Sequence, residues 1–140
     1  MVCKSMSAML EEIRKDTLAT FLLRKSNITE VQLDTLLASK EEGNLDFKRT
    51  LREKHKVTKG AFSRTLKQAR RNVEASIYSV FLLSYLDLIS QANVSQLVRN
   101  VRMLGELKEA KPTTEEQMQV MEAMEDFVQS FSSSRGKLIV

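Results

Sequence analysis

Apolar residues recur at intervals of three and four along nearly the whole chain, the spacing that stacks side chains on one face of an α-helix. Met6, Met9, Leu10, Ile13, Thr17, Phe21 and Leu22 keep this rhythm and predict one amphipathic helix over about Ser7–Arg24, ended by Ser26-Asn27. A second helix starts at Thr29, where Gln32 completes a capping box and Ile28 and Leu33 suit a hydrophobic staple. Leu33, Leu36 and Leu37 supply its inward face, and Glu41-Glu42-Gly43-Asn44 ends it, with Gly43 suited to the left-handed C-terminal position. A short helix over about Asp46–His55 follows, anchored by Phe47 and Leu51.

Thr58 then caps a long fourth helix, with Val57 placed to staple onto Phe62. Phe62, Leu66, Ala69, Val73, Ile77, Val80 and Ser84 share one face of it, and no breaker occurs before Ser90 or Asn93. A fifth helix starts at Asn93, with Val94, Leu97, Val98, Val101, Leu104 and Leu107 as its stripe, and Lys111-Pro112 stops it. Thr113 with Glu116 makes a second capping box, opening a sixth helix over about Thr114–Phe131 that carries Val120, Met124, Phe127, Val128 and Phe131. Ser132–Lys137 reads as a flexible tail, and Leu138-Ile139-Val140 is left open between a short strand and a packing contact.

The pattern predicts an all-α protein. Four glycines and one proline in 140 residues agree with it. No stretch approaches the roughly 20 apolar residues that span a bilayer. The longest candidate, Ile77–Ile89, is interrupted by Ser79, Ser84 and Asp87. Cys3 is the only cysteine, so no internal disulfide is available, and the first residues lack a signal-peptide layout. The expectation is a cytoplasmic protein with no membrane partner.

Charge changes the picture more than composition does. Phe47–Asn72 holds ten Lys and Arg against Glu53 alone, a net charge of +9, while the segments before and after it carry −2 and −3. A single basic block on a mildly acidic body is an electrostatic footprint for a polyanion. Projected at 100° per residue, Phe62, Leu66, Ala69 and Val73 fall on one side of the fourth helix and Gly60, Arg64, Lys67 and Arg71 on the other. A helix buried on one face and cationic on the opposite one suits a DNA major groove. The candidate DNA contacts are therefore Thr58, Lys59, Gly60, Ser63, Arg64, Lys67, Arg70 and Arg71, with Lys48, Arg49, Arg52 and Lys56 ahead of them near the phosphate backbone.

Two phrases carry a family resemblance. Ile28-Thr29-Glu30-x-Gln32, followed by Val57-Thr58-Lys59-Gly60-Ala61-Phe62-Ser63-Arg64-Thr65-Leu66-Lys67-Gln68-Ala69-Arg70-Arg71, resembles the helix-turn-helix of sigma factor region four and of small prokaryotic and archaeal regulators built on that unit. The likeness covers about Ile28–Val73. It implies a tri-helical DNA-binding unit with Thr58–Arg71 as the recognition helix. The pattern's small residue before the turn falls on Arg52, and its Leu-Gly pair on His55-Lys56.

Beyond the basic block, Ile77–Ile89 points apolar side chains in every direction around a helix, which calls for burial all round. Either the first, fifth and sixth helices wrap it as a central core helix, or a second copy of the chain covers its second face; the dimer is the favoured expectation, with Ile77, Tyr78, Phe81, Leu82, Tyr85, Leu86 and Ile89 as the interface. Residues 1–92 then form the helix-turn-helix DNA-binding domain, 93–131 a C-terminal dimerisation arm and 132–140 a tail.

His55 and Cys3 are too few and too far apart for a metal site. No Gly-rich phosphate loop, nucleophile–base pair or cofactor motif occurs, so neither an enzyme nor a small-molecule ligand is expected. The expectation is a homodimeric double-stranded DNA-binding protein, either a transcription regulator or a nucleoid-associated factor. Two alternatives stand beside it: a helical interaction module with a basic docking face, and an RNA-binding protein. The second is disfavoured because no aromatic interleaves with the basic row except Phe62 on the core side.

Overall fold

The computed structural model describes residues 6–40 and 57–132. Every regular element among them is an α-helix: α1 (Met6–Lys15), α2 (Thr17–Lys25), α3 (Glu30–Lys40), α4 (Lys59–Tyr85), α5 (Gln91–Glu109) and α6 (Thr114–Ser132). The expected helix end at Glu41–Asn44, the short helix over about Asp46–His55 and the tail beyond Ser132 lie outside the described residues. The chain divides into two compact units, Met1–Ser76 and Ile77–Val140, and the division falls inside α4.

In the first unit, the single helix expected over Ser7–Arg24 is two. Asp16 is extended (φ −84°, ψ 109°), and its side chain accepts from the Ala19 N–H at 3.0 Å, which starts α2. Its own N–H closes α1 on the Glu12 and Ile13 carbonyls, both at 3.1 Å. The Thr20 hydroxyl then donates back to the Ile13 carbonyl at 3.2 Å. The junction is one residue wide, so the apolar rhythm runs through it unbroken; the signal for the break is the aspartate. Leu10, Leu18 and Phe21 are buried. α1 packs against α2 and α3, and Arg14 pairs with Glu11 at 2.9 Å and with Glu30 of α3.

The capping box at the start of α3 forms as expected. Gln32 N–H donates to Thr29 Oγ1 and Thr29 N–H to Gln32 Oε1, each at 3.1 Å. The inward face of α3 differs from the expected leucines. Asp34, Thr35 and Ala38 are its buried residues, whereas Leu33, Leu36 and Leu37 are half-buried. Ala38 takes the fully buried ring of Phe62, with Leu37, Val57 and Leu66 packed around the pair. The Thr35 hydroxyl is satisfied by the Val31 carbonyl at 2.9 Å.

α4 starts where Thr58 Oγ1 accepts from Ala61 N–H at 3.1 Å. Phe62 meets Ala38 near the C-terminal end of α3, and Asn72 reaches Gln32 near its N-terminal end, so α3 and α4 run in opposite directions. The helix ends earlier than expected, at Tyr85. Leu88 N–H bonds to Leu83 O at 2.8 Å and Asp87 N–H to Ser84 O at 3.2 Å, with Asp87 at φ 58°, the geometry of a Schellman motif. An aspartate occupies the position usually filled by glycine, which is why no breaker is visible there in the sequence.

The second unit holds the last turns of α4 with α5 and α6. Ser90 Oγ caps α5 by accepting from Asn93 N–H at 3.1 Å, so the helix begins ahead of Asn93, the residue expected to start it. Thr113 and Glu116 exchange capping hydrogen bonds at 3.2 and 3.3 Å, as expected for α6. Burial here is sparse: among the described residues of this unit, Ile89 and Met124 are the buried hydrophobic side chains. Val94, Leu97, Leu104 and Leu107 are half-buried, but Val98, Val101 and Val128 are exposed rather than part of the expected inward stripes. Phe127 and Phe131 meet edge-to-face, 4.9 Å between centroids.

Candidate nucleic-acid interface

The first half of α4 separates its side chains as helical projection requires. Phe62 and Ala69 are fully buried and Leu66 is half-buried. Thr58, Lys59, Gly60, Ser63, Arg64, Lys67, Arg70 and Arg71 are all exposed. The core side ends one turn sooner than expected, since Val73 is 40% exposed.

Gly60 and Arg71 are eleven residues apart, so the outer face they bound runs about 16 Å along the helix axis. A helix of roughly 10–12 Å diameter with this outer face matches a groove about 12 Å wide. Arg64, Lys67, Arg70 and Arg71 make no ion pair with any described residue, and the charges face outward. Ser63, Leu66, Lys67, Arg70, Arg71 and Glu74 line an open hollow of about 400 Å³. Three of these six are cations, and Glu74 closes the row as its only acid. A Cβ placed on Gly60 would meet only the Arg64 guanidinium, at 3.4 Å, so the glycine is not demanded by the chain's own packing. The helix starts at the cationic end, which adds the positive end of its dipole.

The helix is held in this orientation by residues outside the charged row. Asn72 Nδ2 donates to the Asn27 carbonyl and to Gln32 Oε1, both at 3.1 Å, while Gln68 Nε2 donates to Asn72 Oδ1 at 3.2 Å. Neither Asn72 nor Glu74 stands out in the sequence. Asn72 reads as one more polar position, and its role depends on where α3 lies. Lys48, Arg49, Arg52 and Lys56 lie outside the described residues.

The residues assigned to a dimer interface are in the second unit. Ile77, Tyr78, Phe81, Leu82, Tyr85 and Leu86 are exposed, but Ile89 is buried at 6% exposure, so it is not part of that surface. The all-round burial expected for this stretch is not supplied by the described residues. Among those residues no cluster of His, Cys, Asp and Glu is arranged to hold a metal ion, and no helix is long and apolar enough to cross a membrane.

No protein-family model matches the chain, and no match is found among curated proteins or among solved structures.

Proposed function

We propose that the protein is a non-enzymatic binder of double-stranded DNA that lays the outer face of α4 along the duplex. The observation that carries this reading is the exposed set Arg64, Lys67 and Arg71 opposite the buried Phe62 and Ala69, with Arg70 exposed on the flank between them. The buried side fixes the helix to its unit, and Arg64, Lys67, Arg70 and Arg71 are left to neutralise phosphates or reach base edges. Arg64 and Lys67 are long enough for guanine O6 and N7, and Ser63 suits a phosphate or a base. In the helix-turn-helix reading α4 is the recognition helix, and Lys48, Arg49, Arg52 and Lys56 add backbone contacts. A single-strand RNA mode is weakly supported, because the exposed row contains no aromatic on which a base could stack. Such a protein acts as a transcription regulator or an architectural factor of the nucleoid.

Fluorescence anisotropy on a labelled duplex tests this. Binding is expected to be micromolar or tighter at low salt and to weaken steeply as salt rises, because counterion release drives it. Arg64→Ala with Lys67→Ala is expected to lose most of the affinity. Millimolar binding at low salt, or unchanged affinity in that double variant, overturns the proposal. A competition of duplex DNA against RNA separates the two polyanions.

A further inference from the structure

The C-terminal turns of α4 carry an apolar surface with no counterpart among the described residues. Ile77, Tyr78, Phe81, Leu82 and Tyr85 follow one another at helical spacing on one face, and Leu86 continues it into the turn. Their exposures are 49%, 69%, 61%, 57%, 86% and 53%. Tyr78 and Phe81 are already set edge-to-face, 6.1 Å between ring centroids. Taking about 200 Å² for a fully exposed large side chain, the six leave roughly 700 Å² of side-chain surface in water. The largest patch on a typical monomer is about 300–600 Å², and one partner of a standard interface contributes about 800 Å².

We propose that this face is covered by a second copy of the same chain, making a twofold homodimer. Three observations favour that occupant. The area is that of one half of a stable interface. The unit also lacks burial of its own, with Ile89 and Met124 as its buried hydrophobic side chains among the described residues, and small units commonly complete their cores by association. Finally, Ile77–Leu86 contains no charged residue. A twofold contact sets a surface against itself, so like charges would repel, and a neutral aromatic patch avoids this. The same neutrality offers an acidic or basic partner nothing to pair with. An anionic membrane is equally unsuited, because interfacial helices rim their apolar face with Lys and Arg, whereas residues 77–140 carry a net charge of −2. Two Tyr and a Phe at the centre are the residue types that dominate binding energy at interfaces.

The dimer does not depend on DNA binding, and sedimentation equilibrium of the full chain without nucleic acid tests it. At about 100 µM chain, a hundredfold above a micromolar Kd, the expected species has twice the 16.0 kDa chain mass. Phe81→Ser and Tyr85→Ser change exposed positions, so helix content by circular dichroism is expected to hold. Each is expected to weaken the dimer at least about thirtyfold, the loss typical of a dominant interface residue. Raising the salt to about 1 M, where charge–charge contacts are screened within roughly 3 Å, is expected to leave the dimer intact. A monomeric wild-type chain at that concentration overturns the proposal, whether or not it floats with lipid vesicles. So do fully helical variants that dimerise as the wild type does.

Discussion

Asn72 on α4 donates its side-chain amide to Gln32 Oε1 on α3 at 3.1 Å, the same oxygen that accepts the Thr29 N–H and closes the α3 capping box. One acceptor thus secures the start of α3 and the rotation of the cationic helix. Asn72→Ala removes two hydrogen bonds between the elements and is expected to cost about 1–2 kcal/mol in a urea melt. Asn72→Asp is expected to cost more, because it sets a carboxylate against Gln32 Oε1 and the Asn27 carbonyl. Equal losses in the two variants would show that the amide's donors are not what matters.

Phe62 and Ala38 form a buried hydrophobic cluster in the first unit, both fully buried. Phe62→Ala leaves a ring-sized cavity and is expected to cost about 3–5 kcal/mol. Ala38→Leu places three extra carbons where the ring already sits, and about 1–3 kcal/mol is expected from overpacking. Chemical denaturation followed by circular dichroism reads both. A neutral Ala38→Leu would mean that α3 and α4 are packed more loosely than the burial of Phe62 implies.

How far the sequence foretells this arrangement varies by element. The Thr29 and Thr113 caps are legible because a capping box is local: two side chains and two N–H groups within four residues decide it. The outward row on α4 is legible for a similar reason, since one helix has one period and Phe62 fixes its phase. The boundaries at Asp16 and Asp87 escape the pattern because an aspartate makes both, as an N-cap in one place and in a left-handed C-terminal position in the other. Periodicity passes through a break that keeps the apolar phase. The inward face of α3 is misleading for a different reason. Leucines attract attention on hydrophobicity alone, but the buried positions of α3 are Asp34, Thr35 and Ala38, and Ala38 becomes meaningful only once Phe62 packs on it. The stretch Ile77–Leu86 calls for cover on its sequence, and the described residues leave it exposed.

Asp87 at φ 58° and Lys111 at φ 50° are the two non-glycine residues in the left-handed region among the described residues. An L side chain there costs about 1–2 kcal/mol, partly offset for aspartate by its tolerance of this geometry. Asp87→Gly is expected to stabilise the chain by about 0.5–1 kcal/mol, less what glycine returns to the unfolded state. Asp87→Val is expected to destabilise it, because a branched Cβ is worst tolerated at positive φ. Thermal melts that rank glycine above aspartate above valine support the Schellman end of α4. The reverse order would mean that α4 continues past Tyr85 in solution.

Glu74 makes the sharpest test of the cationic row. It lines the hollow with Lys67, Arg70 and Arg71. If that space receives a phosphate, Glu74 opposes binding, and Glu74→Gln is expected to tighten duplex affinity a few-fold with little change in stability, because the residue is exposed. Each cation that meets a phosphate adds about −0.9 to the slope of log affinity against log salt. Arg64→Ala with Lys67→Ala is expected to reduce its magnitude by about two, one for each phosphate left without its cation. The two effects run in opposite directions for different chemical reasons: one variant removes a repulsion and keeps every cation, and the other removes cations. Anisotropy titrations across a salt series measure both. A Glu74→Gln variant that binds no more tightly, beside a double variant whose slope matches the wild type, would place the duplex away from this face of α4.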